Sequence, residues 1–241
     1  MKMTVVGSGT MGSGIAQVLA VSGFDVFLHD IDATALERAR EAIVNGPFGM
    51  RASVARQRLS IDDFELSQAR IRYCRDLDEA CSATDCLIEA VPEDLALKMS
   101  VFKCFDRLTP PNAVLTTNTA GLPIAAMAYA TDRPQRVLGW HWAQPCIVMK
   151  MAEIIVHPGC APDAVTMVEQ LARTCGKNPH VVKDQPREWG FVANRIMLRV
   201  RREALAIVDE GVATPEQVDA LLKDCFRWPV GVFEMLRDLK Q

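Results

Sequence analysis

The feature that most constrains the fold is a glycine-rich turn near the N-terminus. Residues 7–12 read Gly-Ser-Gly-Thr-Met-Gly, between the strand-like Thr4–Val6 and a segment of helical period, Met11–Val21. A second strand-like segment, Asp25–His29, follows and ends beside an acidic residue, Asp30. A strand, a G-x-G-x-x-G turn, a helix and a second strand within about 30 residues are typical of a dinucleotide-binding βαβ unit. The alternative is an ordinary glycine-rich turn followed by a solvated Asp.

Each glycine of this turn has a separate expected role. Gly7 permits the tight turn, Gly9 lets a pyrophosphate approach the backbone, and Gly12 lets the helix pack against the strand. Asp30 is expected to bind the adenosine ribose hydroxyls and to repel a 2′-phosphate, so the sequence predicts NAD rather than NADP. The residues expected to bind the cofactor here are Gly7, Gly9, Thr10, Met11, Gly12 and Asp30.

Short apolar runs alternate with longer helical segments as far as Val182, which predicts a parallel sheet covered by helices. Beyond Val182 only helical period remains. We expect an α/β fold, a Rossmann-type doubly wound sheet over residues 1–184 followed by a small all-helical C-terminal domain over 185–241. The predicted strands are Thr4–Val6, Asp25–His29, Arg70–Cys74, Cys86–Glu89, Val114–Thr117, Val137–Trp142, Ala152–His157 and His180–Val182, and the predicted C-terminal helices are Phe191–Gly211 and Pro215–Lys223.

Composition excludes several classes of function. The 241 residues include 27 Lys and Arg against 30 Asp and Glu, a formal charge of -3, so there is no overall basic field to hold nucleic acid or anionic lipid. No apolar run approaches the roughly 18 to 20 residues that span a bilayer. The start at Met1–Met3 shows no signal peptide, and the eight cysteines form no C-x-x-C pair. We expect a cytoplasmic protein with reduced thiols and no metal, which binds neither nucleic acid nor membrane.

Five sequence segments spread along the chain carry the signal for function. They are GSGTMGSGIA at 7–16, IEAVPEDLALKMSVF at 88–102, NTAGLPI at 118–124, GWHWAQPCIVMKMAE at 139–153 and GFVANR at 190–195. With these segments the chain resembles the L-3-hydroxyacyl-CoA dehydrogenase family over essentially its whole length. The resemblance implies an NAD-binding Rossmann domain and a helical domain for substrate binding and homodimerisation. It also implies reversible oxidation of an L-3-hydroxyacyl thioester to its 3-keto form by NAD.

This chemistry requires a general base for the proton of the 3-hydroxyl, and histidine suits the task near neutral pH. The resemblance points to His141, in the family's H-x-x-N/Q-P-like segment, and matches Glu153 to the family's acidic partner. Such a carboxylate fixes the imidazole tautomer and stabilises the imidazolium as it forms. Asn194 matches the asparagine that helps to hold the substrate carbonyl. The other three histidines are expected to be structural or solvent-facing.

Three further positions carry over for the nicotinamide half of the cofactor. Glu93 and Lys98 match family residues that line the nicotinamide ribose region. For Lys98 the alternative is a solvated acid–base pair at the start of a helix. Asn118 precedes the strand-end loop against which the nicotinamide is expected to lie, since ligands of open α/β sheets bind outside the carboxyl ends of the strands.

The chain departs from the family pattern around the expected pocket. Ala120 stands where the family's N-T-S loop has serine, so a hydroxyl expected on the substrate's reacting oxygen is missing, and Thr117, Thr119 or a water could replace it. Gln144 stands where the family commonly has Asn before the proline, which moves an expected nicotinamide contact. The stretch 185–190 is about three residues longer than the usual D-x-P-G-F. These departures bear on the substrate more than on the reaction type.

The carrier and the rival functions stay open at this point. Five arginines between residues 38 and 58 suit CoA phosphates, although a solvated helix face explains them equally well. The nearest rival is a same-fold dehydrogenase of a free small hydroxyacid, such as a sugar acid or a pyridine carboxylate. A 3-hydroxyisobutyrate-type enzyme would need a helix lysine where this chain has Asn194 and Arg195.

A non-catalytic, crystallin-like NAD-binding protein is the remaining alternative, and the retention of His141 and Glu153 argues against it. Family members also usually continue for several dozen residues beyond the segment that resembles 230–236, whereas this sequence ends at Gln241. A helical lobe of this size is marginal by itself, and it carries apolar surface. We therefore expect its helices to pack in a homodimer.

Overall fold

The computed structural model describes residues 1–185 and 188–238, which form two compact units, 1–185 and 188–238. The predicted fold class, a Rossmann-type α/β sheet followed by a helical region, is confirmed. The expected three-residue extension in the stretch 185–190 includes Pro186 and Arg187, which lie outside the described residues. The expected domain boundary between residues 184 and 185 stays a prediction. The roles predicted for the two domains remain predictions.

The first unit is built on an eight-stranded sheet in the order β3-β2-β1-β4-β5-β6-β7-β8. This order reverses beside β1, as in a doubly wound sheet, so the carboxyl ends of β1 and β4 frame a switch point. All eight predicted strands are present, with small differences at their ends. They are β1 Lys2–Val6, β2 Asp25–His29, β3 Ile71–Cys74, β4 Cys86–Glu89, β5 Val114–Thr117, β6 Val137–Trp142, β7 Met151–Val156 and β8 Asn178–Lys183.

The prediction of a parallel sheet is wrong at one place. β6 and β7 pair antiparallel, and β8 pairs parallel with β7, so these last two strands run against the other six. The connection between β6 and β7 covers only residues 143–150, and a parallel crossover needs a dozen or more residues. The reversal places His141 directly opposite Glu153 in the strand register.

Eight α-helices of the first unit cover the sheet. The central strands β4 and β5 are buried along their whole length, as expected for strands covered on both faces. Among the described residues, no helix is long and apolar enough to cross a membrane. The helices are α1 Thr10–Val21, α2 Ala33–Asn45, α3 Met50–Ala55, α4 Ile61–Ala69, α5 Leu77–Cys81, α6 Leu95–Leu108, α7 Ile124–Ala128 and α8 Pro162–Thr174.

The second unit contains α9 Ala193–Asp209, α10 Pro215–Phe226 and α11 Val232–Asp238. The third of these helices was not among the predicted ones. Asp219 on α10 caps it, because its carboxylate accepts the backbone N–H groups of Phe233 and Glu234 at 2.8 and 3.0 Å. The buried core of this unit is small, and it consists of Ala204, Val218 and Val232 with partly buried neighbours.

Candidate active site

The carboxyl ends of five parallel strands meet at one edge of the sheet, and the predicted site residues of the first unit gather there. β1, β2, β4, β5 and β6 all run in the same direction. Their carboxyl ends carry the glycine-rich turn, Asp30, Glu89, the loop that begins at Asn118, and His141. Residues from distant parts of the sequence therefore share one edge, as Rossmann folds require.

The glycine-rich turn fits a dinucleotide. Gly7 has φ +98°, and a Cβ there would lie 2.5 Å from the Ala90 carbonyl oxygen. A Cβ on Gly12 would lie 1.7 Å from the Gly7 carbonyl oxygen. The fold itself thus requires both of these glycines. At Gly9, by contrast, a Cβ would meet nothing within 4 Å, so the open space there is available to the phosphates of a cofactor at the N-terminus of α1.

Asp30 is organised by the same turn. Its Oδ2 accepts the backbone N–H and the hydroxyl of Ser8 at 2.8 and 2.9 Å, and its Oδ1 accepts the backbone N–H of Asp32 at 3.0 Å. Burial opposes ionisation of this carboxyl group, but the hydrogen bonds from Ser8 and Asp32 outweigh it and lower its pKa. Asp30 is therefore a fixed anion at the end of β2, the position expected for the acid that binds the ribose hydroxyls, and that role stays a prediction.

A buried acid–base pair lies at the end of β4. Lys98 Nζ donates to Glu89 Oε1 at 2.6 Å, and the two residues are 1% and 0% exposed. Glu89 Oε1 also accepts the Val91 N–H, and Oε2 accepts the Thr117 hydroxyl, both at 2.6 Å. Burial raises the pKa of Glu89, and the Lys98 ammonium and these hydrogen bonds oppose that rise. The alternative in which Lys98 is solvated is therefore wrong.

Glu93 organises the loop that follows β5. Its Oε1 accepts the Thr119 hydroxyl at 2.5 Å and the Ala120 N–H at 2.9 Å. The Thr117 hydroxyl donates to Glu89, so the hydroxyls of both threonines are bonded to carboxylates inside the protein. Neither one replaces the hydroxyl missing at Ala120. Of the expected substitutes, a water remains.

Beside this loop, β6 and β7 bring His141 and Glu153 together. His141 Nδ1 lies 2.7 Å from Glu153 Oε2, and both side chains are buried. This geometry follows from the antiparallel register, in which the two residues face each other directly. A carboxylate on Nδ1 assigns the proton to that nitrogen and leaves Nε2 as the acceptor in the neutral ring. The pair can thus act as a base with an acidic partner.

Asn118 and Gln144 lie near the carboxyl end of β6. Asn118 Oδ1 accepts the backbone N–H of Trp142 at 2.9 Å, which ties the loop after β5 to β6. Gln144 lines a cavity of about 500 Å³ together with Gly9 and Thr10 of the glycine-rich turn. Both residues therefore lie near the expected cofactor path, and their contacts with a nicotinamide remain predictions.

The other predicted groups have mixed positions. His29 and His157 are buried and bond to the carbonyl oxygens of Cys74 and Pro134, while His180 is exposed. These positions agree with the expectation that none of the three is the base. Asn194 lies at the start of α9 in the second unit, and its role towards the substrate carbonyl remains a prediction.

Sequence reasoning did not single out Glu89. A signal was available, because Glu89 ends an apolar strand at the same sheet edge where Asp30 follows β2. An acidic residue at that place in a buried strand needs a partner. The partner, Lys98, was identified only through the resemblance, and the pairing became visible in the tertiary structure.

Comparisons with known proteins agree with this geometry. The families described as "3-hydroxyacyl-CoA dehydrogenase, NAD binding domain" and "3-hydroxyacyl-CoA dehydrogenase, C-terminal domain" match residues 2–185 and 190–240. A "Probable 3-hydroxybutyryl-CoA dehydrogenase" of Bacillus subtilis is 37% identical over 234 residues, which cover 95% of this chain and 78% of that protein.

Two further relatives are named for different substrates. A "5-formyl-3-hydroxy-2-methylpyridine 4-carboxylate 5-dehydrogenase" of Mesorhizobium japonicum is 34% identical over 233 residues, which cover 95% of this chain and 70% of that protein. The crystal structure of (S)-3-hydroxybutyryl-CoA dehydrogenase from Ralstonia eutropha has a TM-score of 0.89 at 32% identity, and the match covers 96% of this chain and 79% of that one. The relatives therefore share the fold and differ in substrate.

Proposed function

Because this chain belongs to the 3-hydroxyacyl-CoA dehydrogenase family and is an NAD-dependent oxidoreductase, we propose that it interconverts an L-3-hydroxyacyl-CoA thioester and its 3-ketoacyl form, with His141 as the general base. The observation that carries the proposal is the buried 2.7 Å contact between His141 and Glu153 at the cofactor edge of the sheet. A base held by a carboxylate is the group that alcohol oxidation requires in addition to the cofactor.

In the proposed reaction, His141 Nε2 takes the proton of the substrate's 3-hydroxyl. NAD bound at the glycine-rich turn and Asp30 would supply the acceptor for the hydride from the same carbon, so that the carbinol would become a ketone while one proton stays on the His141 imidazole. Glu153 stabilises the imidazolium that forms and holds the ring in one orientation. In the reverse direction His141 returns the proton to the ketone oxygen. Asn194 is proposed to hold the substrate carbonyl in place.

The proposed cofactor residues have separate tasks. The turn at Gly7, Gly9 and Gly12 and the N-terminus of α1 bind the pyrophosphate, and Asp30 binds the adenosine ribose. Glu93 and the loop at Ala120 face the nicotinamide half, since they lie between the glycine-rich turn and His141 in the strand order. Thr10, Met11, Asn118 and Gln144 complete the proposed contacts.

The shape of the first unit favours a CoA carrier. The cavity of about 500 Å³ at the glycine-rich turn is lined mainly by apolar groups, among them Phe48 and Ile147. The same two residues line a neighbouring cavity of about 170 Å³ that also includes Arg56 and Arg58. The larger cavity lies at the turn proposed to bind the cofactor pyrophosphate, and the smaller one, with apolar walls beside two guanidinium groups, suits part of a thioester arm with terminal phosphates.

The other arginines of this region have partners within the protein. Arg38 lies 3.6 Å from Asp32, and Arg40 and Arg51 lie over the rings of Tyr73 and Phe64. Arg56 also donates to an internal group, the Pro47 carbonyl oxygen, at 3.2 Å, but this acceptor is neutral. Because Arg56 and Arg58 line the same cavity, we assign the proposed CoA phosphates to them.

A free hydroxyacid is the second candidate substrate. It is favoured by the likeness to the Mesorhizobium japonicum pyridine carboxylate dehydrogenase and by Ala120, which replaces a serine of the family pattern. A small acid would need neither Arg56 nor Arg58. The discriminating experiment is to mix the protein with NADH and either acetoacetyl-CoA or a panel of free 3-keto acids and to follow nicotinamide absorbance. Turnover of the free acids alone would contradict the CoA assignment.

We also propose a homodimer formed through the C-terminal helices. In α9 only Ala204 is buried, whereas Ile196 and Leu205 are 60% and 46% exposed. Apolar area left in water costs roughly 25 cal/mol per Å², which favours burial against a second copy. Light scattering should therefore give twice the chain mass, and Tm should rise with protein concentration. An active monomer at micromolar concentration would contradict this proposal.

A cytoplasmic location is proposed as well. All eight cysteines lie within the described residues, and each is a free thiol, the state that the reducing cytosol maintains. Fractionation of the source cells with an antibody against this chain would test the location.

A further inference from the structure

Glu89 is a fully buried carboxylate that the proposed reaction does not use. Burying an ionised group is costly unless it is paired and hydrogen-bonded. Three donors converge on its two oxygens, from Lys98, Val91 and Thr117, and this set of donors suits an ionised carboxylate. A group of this kind at the cofactor edge calls for an explanation beyond packing.

Lys98 is held mainly by groups of the protein. Two of the three N–H donors of its ammonium are used by Glu89 Oε1 at 2.6 Å and the Val91 carbonyl oxygen at 3.1 Å, and Glu93 Oε2 lies 3.4 Å from the same nitrogen. The side chain is 2% exposed. Its charge therefore acts on the protein, and the two carboxylates compete for it.

Glu89 holds Lys98 more closely than Glu93 does, and this difference has an electrostatic consequence. Glu93 is left to bind the Thr119 hydroxyl and the Ala120 N–H through Oε1, and its side chain is 37% exposed. The three charges sum to one net negative charge. That charge lies on the outward-facing carboxylate, at the loop that continues from β5.

The cofactor must pass this cluster. Its adenosine end belongs at Asp30 after β2, and its reacting end belongs near His141 on β6. The strand order β2-β1-β4-β5-β6 places Glu89, Glu93 and the 118–120 loop between those two points. The nicotinamide ring is cationic when oxidised and neutral when reduced, so a net negative charge at this place attracts the two forms unequally.

We propose that Glu89 is a positioning residue that holds Lys98 at 2.6 Å, so that the ammonium, 3.4 Å from Glu93, neutralises Glu93 only in part and the net negative charge beside the 119–120 loop favours oxidised over reduced cofactor. The inference rests on the proposed function only in placing the reacting end of the cofactor beside His141. It gives Lys98 an electrostatic role towards Glu93, in addition to the place beside the nicotinamide ribose that the resemblance implies.

The test is the ratio of two dissociation constants, measured without substrate by titration calorimetry. In Glu89→Gln, Lys98 is left with Glu93 as its only carboxylate, and the cluster becomes neutral. The Kd for NAD⁺ should rise about tenfold relative to the Kd for NADH. Glu93→Gln should shift the ratio in the same direction, since it also makes the cluster neutral. The double variant Glu89→Gln/Glu93→Gln should shift the ratio further than either single variant, because the Lys98 ammonium then leaves one net positive charge beside the oxidised nicotinamide.

The variant Glu89→Gln/Lys98→Met distinguishes an effect of the cluster's net charge on cofactor binding from an effect of lost stability. It removes one charge of each sign, so Glu93 keeps its negative charge and the NAD⁺ to NADH ratio should stay near that of the unmodified protein, whatever the change in Tm. Glu79→Gln, at an exposed carboxylate paired with Arg72, is the matched control and should leave the ratio unchanged.

The proposal would be overturned if Glu89→Gln weakened the binding of NAD⁺ and NADH equally, or left the ratio of their Kd values unchanged. Glu89 would then have a structural role. If Glu89→Gln does not fold, Glu93→Gln and the Glu89→Gln/Lys98→Met variant decide, since an unchanged ratio in the first or a shifted ratio in the second contradicts the charge argument. None of these outcomes depends on turnover, so failure of His141 as the base is detected separately.

Discussion

Two buried acid–base pairs lie at the same edge of the sheet and differ in the hydrogen-bonding groups that surround them. Lys98 and Glu89 are joined at 2.6 Å, and backbone and hydroxyl groups fill the remaining positions around both. His141 and Glu153 are joined at 2.7 Å through one nitrogen of the ring. The first pair is enclosed by further hydrogen-bonding groups of the protein, and the second is the pair proposed to exchange a proton with the substrate.

The difference arises from the elements that supply each pair. Glu89 ends a parallel strand and meets Lys98 on the first turns of α6, which Asp94 caps through the Leu97 N–H at 2.8 Å. His141 and Glu153 face each other across two antiparallel strands. A helix start folds back over its preceding strand and encloses a charge, whereas the cross-strand pair holds an imidazole against a carboxylate through Nδ1. Burial alone therefore does not identify a catalytic group.

The strongest way to break this comparison is His141→Ala. We expect turnover to fall about 10²- to 10⁴-fold, the usual contribution of a general base, while NAD still binds. The matched control is His180→Ala, at an exposed histidine on β8, which should retain turnover. Stopped-flow absorbance of NADH measures the rate, and near-normal turnover in His141→Ala would remove His141 as the base.

Glu153→Gln tests the partner of that base. An amide cannot stabilise the imidazolium as a carboxylate does, so turnover should fall about a hundredfold or more. The ratio of Kd values for NAD⁺ and NADH should change less than in Glu89→Gln, because Glu153 lies on β7, beyond the proposed cofactor path. Retention of full turnover in Glu153→Gln would mean that the contact only packs the two strands.

Lys98→Met tests the buried pair of Lys98 and Glu89 through the free energy of unfolding. It leaves the Glu89 carboxylate buried without its cation, which should lower the free energy of unfolding by about 3 to 5 kcal/mol in urea titrations. Glu89→Leu/Lys98→Met should recover much of that loss. Arg173→Met removes an exposed partner of Glu169 and should cost about 1 kcal/mol or less. If Lys98→Met lowers the free energy of unfolding no more than Arg173→Met does, the ion pair between Lys98 and Glu89 is not the strongly coupled buried pair inferred here.

Asp30→Ser gives the smallest expected effect of these variants, and the effect is on the choice between NAD and NADP. Asp30 is only partly buried, and its charge lies at the proposed ribose site rather than against a buried cation. Its removal should narrow the preference for NAD over NADP by about 1 to 3 kcal/mol, the scale of a hydrogen bond to a charged group. The measurement is kcat/KM with each cofactor. Tighter binding of NADP than of NAD by the unmodified protein would contradict the assignment of Asp30.

Much of the cofactor site could be predicted because its signals are local. The turn from Gly7 to Gly12 and the acid at Asp30 lie within one βαβ unit, and each residue type is required by backbone geometry or charge near its own position. The same reasoning could not assign the hydroxyls of Thr117 and Thr119, because their acceptors, Glu89 and Glu93, lie 28 and 26 residues away. Such contacts depend on strand pairing.

By itself, the sequence determined the eight strands, the helical C-terminal region and the dinucleotide turn, since hydrophobic period and glycine geometry act over a few residues. Only the tertiary structure decided that β7 runs against β6, that Glu153 therefore faces His141, and that Lys98 is enclosed rather than solvated. These outcomes depend on which strands pair and in which register, and the free energy that selects the pairing comes from burying the whole sheet.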